Sequence, residues 1–196
     1  MHHATDLSKG AFQRRTGTAS SAASCAAHPG LRHQSPPGQI RLSEGYRGYS
    51  LSLEDLSLGK GLKDAKVGDW HYLVFADGAT IADAQLADVR GHVEFASLNH
   101  GTLAAATVEA LKLAEQSAQL QGKTVELRVL FISALHVVAI WLHADGEEVL
   151  IPIEPTPKDL AITQLYSEAA LLALLKPAAE QARQRFAADT RGELGS

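Results

Sequence analysis

Residues 129–142 read VLFISALHVVAIWL, an almost unbroken apolar run. A helix crossing a bilayer needs about twenty apolar residues, so this run is too short to span one. Its Val, Ile, Phe and Trp content favours strand over helix. Taken whole, residues 124–143 exceed the usual strand length. Two resolutions exist, one long strand bent near Ser133-Ala134-Leu135 or two strands joined there by a tight turn, and the absence of Gly, Pro, Asn or Asp favours the bent strand. Both faces are apolar over much of its length. The strand is therefore expected in the middle of a sheet, with Trp141 as a core anchor. Asp145-Gly146 followed by VLIPIE reads as a hairpin turn and its return strand.

Upstream, YSLSL over residues 49–53 alternates and predicts a short strand. LEDLSLGKGLKDAKVGD mixes Gly with charge and reads as a loop or a helical turn. WHYLVFAD and ATIADAQLAD flank Gly78, and Asp77-Gly78 is a strong hairpin signal. GHVEFASL, residues 91–98, puts Val93 and Phe95 on one face and His92 and Glu94 on the other. It is expected as a strand with one wetted face.

Residues 101–121 form the best helix, capped by Asn99 or Thr102 and followed by Gly122 in the C′ position. Leu103, Ala106, Ala110, Leu111, Ala114 and Ala118 fall on one stripe with helical spacing. Small residues dominate that stripe and let a sheet approach closely. The prolines of IPIEPTP oppose helix and further sheet pairing. A last helix begins near Ser167, with Leu171, Leu174, Leu175, Ala178, Ala182 and Phe186 on its stripe and Pro177 as a kink or a new start.

The expected fold is α+β: a curved, mostly antiparallel sheet packed on a central helix, in the order βββαββα, with a C-terminal helix. That order is similar to cystatin-like and other helix-grip folds in element order alone, and no motif assigns a family. Residues 1–45 hold Pro29, Pro36, Pro37 and little apolar periodicity, so they are expected as a disordered leader. The single domain is expected over residues 46–188, with a frayed tail at 189–196. A chain beginning near Tyr46 is expected to fold as well as the whole.

Charge sharpens this picture. The chain's net charge is −4, yet residues 1–45 carry Lys9, Arg14, Arg15, Arg32 and Arg41 against only Asp6 and Glu44. The body is therefore acidic, which argues against a nucleic-acid surface. Cys25 is the lone cysteine and cannot form an internal disulfide. The leader lacks an apolar h-region, and its basic, Ser- and Ala-rich composition resembles a transit peptide only in part. The cytoplasm is the default expectation, and no membrane association is expected.

Candidate chemistry is sparse. The histidines of the folded part are His71, His92, His100, His136 and His143, without HxH or HExxH spacing. His71, His92 and His143 could converge on one sheet face, but a strand histidine with one hydrogen bond is the plainer account. No metal or cofactor is expected. His136 interrupts the most apolar run, so it must sit at the bend, find a partner, or line a cavity. As a pocket base it would need a carboxylate such as Glu94 or Glu126. Ser133 near His136 does not make a triad, no GxSxG elbow occurs, and no catalytic residue is assigned. Gly59-Lys60-Gly61-Leu62-Lys63 lacks Walker-loop spacing and its Ser/Thr.

Two functions fit. The first is a non-enzymatic protein-interaction or structural module, acting through a sheet edge or the C-terminal helix, with itself among the candidate partners. The alternative is a small-ligand-binding protein or enzyme with a cavity near His136 and Trp141.

Overall fold

The computed structural model describes residues 39–193 apart from Asp145, Lys158 and Asp159, together with residues 4–6 and 13–15. In chain order the strands are β1 (Ala4–Asp6), β2 (Gln13–Arg15), β3 (Ile40–Leu42), β4 (Tyr46–Ser50), β5 (Lys66–Ala76), β6 (Ala79–Val89) and β7 (His92–His100). They continue with β8 (Thr124–Ile132), β9 (Val137–Ala144), β10 (Glu147–Ile153) and β11 (Tyr166–Ser167). The helices are α1 (Leu53–Ser57), α2 (Thr102–Gln116) and α3 (Glu168–Glu193).

The chain is mixed α+β with a large, mostly antiparallel open sheet. Its order is β11-β10-β9-β8-β4-β5-β6-β7, and β3 pairs along β5. Two antiparallel meanders, β4 to β7 and β8 to β10, are joined by a parallel pairing of β4 with β8. β2 also runs parallel to β8, at Thr124 to Glu126. Since β3 lies ahead of Tyr46, the described sheet starts before the residue expected to open the domain. Apart from β1, β2 and residues 39–45, the expected leader falls outside the described residues. Among the described residues, no helix is long and apolar enough to cross a membrane.

Alternation along the strands splits the core in two. Val125, Leu127, Val129, Ile140, Leu142, Val149 and Ile151 face α2, meeting Ala104, Ala110, Leu111 and Ala114. Leu130, Ile132, Ala139, Trp141 and Leu150 face the other way, against Leu56 of α1 and Leu171, Leu175 and Ala179 of α3. Helices therefore cover both faces of β8 to β10, where the expectation was a sheet curved on one central helix. The continuous apolar run of β8 and β9 is the sequence signature of that double burial.

Three local expectations are corrected. Residues 124–143 form two strands, joined by a 3-10 turn at Ser133–Leu135. His136 closes this turn in the left-handed region, at φ 52°, ψ 36°. Histidine is among the few side chains that tolerate that region, so it does the turn's work where Gly, Asn or Asp was sought. Residues 49–53 are not one strand. β4 ends at Ser50, Leu51 turns into the core, and Ser52 caps α1 through a reciprocal bond with Asp55. The cap of α2 is Gly101, at φ 127°, rather than Asn99 or Thr102.

Four strands in place of three thus precede α2 in the main path. The β5–β6 turn uses Asp77 and Gly78, both at positive φ, as expected. Arg90 and Gly91 make the same kind of turn before β7. Gly146, at φ 76°, lies between β9 and β10, while Asp145 lies outside the described residues. α3 continues through Pro177, burying Leu171 and Leu175 and leaving Leu174 and Phe186 exposed.

Candidate functional site

Two places invite function: a cleft on the α3 side of the sheet, and the bare edge at β7. The cleft, of about 810 Å³, is walled by the 59–65 segment, the start of α3 and the sheet. Tyr49 of β4, Arg128 of β8, Trp141 and His143 of β9 and Glu148 of β10 reach it because alternation places them on one face. The Arg128 guanidinium packs on both the Trp141 ring at 4.7 Å and the Tyr49 ring at 5.2 Å, and these two rings meet edge-on at 4.8 Å. Glu126 receives Arg128 Nε and Nη2 at 2.9 and 3.0 Å, a bidentate fork. Burial opposes the charge on Arg128, but Glu126 outweighs it and raises the pKa above its ordinary value.

Glu148 is similarly committed. It accepts the Trp141 indole N–H at 2.5 Å and pairs with His143 Nδ1 at 2.8 Å. Glu168, opening α3, accepts the Leu62 amide at 2.7 Å. A Cβ on Gly61 would meet the Glu168 carboxylate at 2.3 Å, so a side chain there would push that carboxylate off the Leu62 amide. The described lining includes no Ser or Cys nucleophile. The arrangement suits stacking and hydrogen bonding to a small ligand.

Of the two residues singled out in the sequence, Trp141 lines this cleft and His136 does not. His136 is exposed at the β8–β9 turn, and the structure does not bring the pair together. Neither proposed carboxylate serves His136, since Glu126 binds Arg128 and Glu94 lies on β7. The histidines do not converge either: His71 packs on the α2 side of the sheet, while His143 enters the cleft on the α3 side. No group of three potential metal ligands occurs among the described residues.

One polar cluster escaped the sequence reading. His71 Nδ1 lies 2.9 Å from both carboxylate oxygens of Asp83, and both residues are buried. The His71 ring stacks on Tyr46 at 5.6 Å and packs against Phe131 at 5.5 Å. Tyr46 lies beside Asp83 and Thr107, and burial, then the Asp83 charge, pushes the pKa of its hydroxyl well up. Asp83 within the Ala-rich ATIADAQLAD was the available signal. The cluster pins β4, β5, β6 and β8 beneath α2.

The β7 edge is a different kind of site. β7 pairs with β6 on one side, and among the described residues no strand pairs with its other side. On the face away from α2, Val93, Phe95 and Leu98 stand opposite Asp88, Leu86 and Ala84. They are 56%, 66% and 42% exposed, and Leu42 of β3, on the same face beside Val74, is 59% exposed. The small apolar cluster there, Val74, Ala82 and Ala84 with Tyr72, contains no helix residue. Further along this face Arg47 lies over Trp70 at 4.5 Å, and its buried Nη1 lacks a protein partner among the described residues. On the opposite face Ser97 donates to Gln85, which donates to Asp69.

Comparison of the chain with protein-family models, with curated proteins and with solved structures gives no match.

Proposed function

We propose that this chain is a non-enzymatic protein-interaction module whose partner adds to the outer edge of β7 and covers the apolar face beside it. The observation that carries this reading is β7 itself. It is nine residues long, with exposed Val93, Phe95 and Leu98, and its sequence HVEFASLNH has no Lys, Arg or Pro. Natural edge strands are usually short, charged or broken by proline, because an unpaired edge templates another strand. The far end of the same sheet obeys that rule, since β11 has two residues and runs directly into α3. A long apolar edge at one end, interrupted by a single bulge at Ala96, and a two-residue strand at the other support a partner at the long edge. Cys25, the lone cysteine, cannot form an internal disulfide and gives no sign of an oxidising compartment, so we place the module in the cytoplasm by default.

The test is affinity capture from a native-source lysate by the full chain and by its Phe95→Lys variant. A stoichiometric protein retained by the parent chain and lost from the variant is expected. Equal retention by both, or no retained protein from a chain that also stays monomeric, would overturn the reading.

A second reading rests on the Trp141 cleft, whose size lies in the range of small-molecule sites. Its ligand would stack near Tyr49 and Arg128. Binding of a small molecule that quenches tryptophan fluorescence and is lost in Arg128→Ala would favour it.

A further inference from the structure

We infer that the partner of the β7 edge is a second copy of this chain, paired antiparallel, β7 to β7, about a two-fold axis between Ala96 and Ser97. This names the partner of the edge and rests on the interaction reading above. The argument comes from one extra residue. Against β6, Ser97 faces Gln85 and Phe95 faces Leu86, so Ala96 is a bulge. The bulge changes which residues share a face. Val93, Phe95, Leu98 and His100 stand with the apolar side, while Glu94, Ser97 and Asn99 stand with the α2 side.

In an antiparallel ladder, residues directly opposite each other share a face. A regular strand alternates without interruption, so it can match β7 in phase on only one side of Ala96. A second β7 carries the same interruption. About the stated axis, Phe95 meets Leu98 of the other copy, Val93 meets His100, Glu94 meets Asn99 and Ala96 meets Ser97. Every pair beyond the central one keeps its face, and the most exposed apolar side chain of the strand gains an apolar cross-strand neighbour. Charge agrees with this register. Glu94 is the strand's one acidic residue. Its nearest copy would lie about five residues along, roughly 17 Å away and beyond a Debye length at physiological salt.

Size sets the strength. Two edges about 30 Å long and about 10 Å deep cover on the order of 300 Å² per copy, about 600 Å² in total and below the roughly 1,000 Å² that stable specific interfaces clear. The dimer is therefore weak and concentration-dependent.

Two measurements test it. Sedimentation equilibrium of the full chain across a wide concentration range should show reversible dimerisation, weakened roughly tenfold or more by Phe95→Lys. In a Cys25→Ser background, Phe95→Cys with Leu98→Cys should oxidise to a covalent dimer. The two positions are about 10 Å apart within one strand, too far to bridge internally. Val93→Cys with Leu98→Cys, out of register, should cross-link much less. Circular dichroism of each variant checks that the fold is kept. A monomer at every concentration overturns the inference, whether the edge is taken by another protein or by residues 1–38 of the same chain. Equal cross-linking by both cysteine pairs overturns it too. If the chain is monomeric yet Phe95→Lys still loses a captured protein, the interaction reading survives without the second copy.

Discussion

Strands β8 to β10 and strands β5 to β7 belong to one sheet but live in different surroundings. The first set lies between α2 on one face and α1 with α3 on the other, and its buried residues alternate between two clusters. The second set meets α2 at Leu73 and leaves its other face without a helix, ending at an unpaired edge. A strand covered on both sides contributes stability through every side chain. A strand covered on one side keeps apolar surface that only another molecule can bury. The comparison separates a framework from a surface, and it can be attacked by mutation.

The largest effect is expected at the seam between the two halves, where His71 packs between Tyr46 of β4 and Phe131 of β8. Asp83→Ala leaves the buried His71 and Tyr46 polar groups without their carboxylate and should cost about 3–5 kcal/mol in chemical denaturation. A loss near zero would mean that the halves are held together elsewhere.

Next comes the direct comparison of the halves. Leu130→Ala, inside the doubly covered set, should cost about 2–5 kcal/mol through the lost transfer energy and the cavity left behind. Leu98→Ala, on the open face, should stay within about 0.5 kcal/mol for the monomer. Similar losses at both positions would erase the distinction between framework and surface.

A smaller effect tests the turn that divides the long apolar run. His136→Val places a β-branched side chain at φ 52° and should cost about 1–2 kcal/mol by thermal or chemical unfolding. His136→Gly should be tolerated, which separates backbone conformation from any role of the imidazole.

The smallest effect concerns the acid limb. Asp55 receives the Lys60 ammonium at 2.8 Å and hydrogen bonds from Ser52, which together hold its carboxyl well below the ordinary 3.8. Its folded pKa is depressed, so its contribution is full above the ordinary carboxylate range and fades as pH falls below about 4. Asp55→Asn should therefore flatten the loss of stability below that pH and leave the slope near neutrality unchanged. An unaltered acid limb would place the titrating group elsewhere.

The framework was legible in the sequence to a greater degree than the surface. The apolar run, the Asp77-Gly78 turn and the small-residue stripe of α2 each correspond to an element in the structure. Where the reading failed, a local rule was met by an unusual residue. His136 supplied a left-handed turn, and Gly101 rather than a polar cap opened α2. The candidate site was legible only in part. Trp141 was identified, but its neighbours Tyr49, Arg128 and Glu148 come from strands far apart in the chain and meet through register alone. Asp83 and His71 lie twelve residues apart across a hairpin, and nothing in their spacing announces a pair.

The sequence by itself determined the long strands and the two long helices, because periodicity and turn chemistry act over a few residues, but not β3, β11 or the turn at 133–136. It determined that the apolar stretches on either side of residues 133–136 would be buried on both faces, since no one-sided strand tolerates such a run. It did not determine what covers those faces. That α2 takes one and α3 the other, and that neither reaches the outer face of β7, follows from long-range packing. A strand's pattern records whether a face is apolar, and only the assembled fold decides which apolar faces are left open.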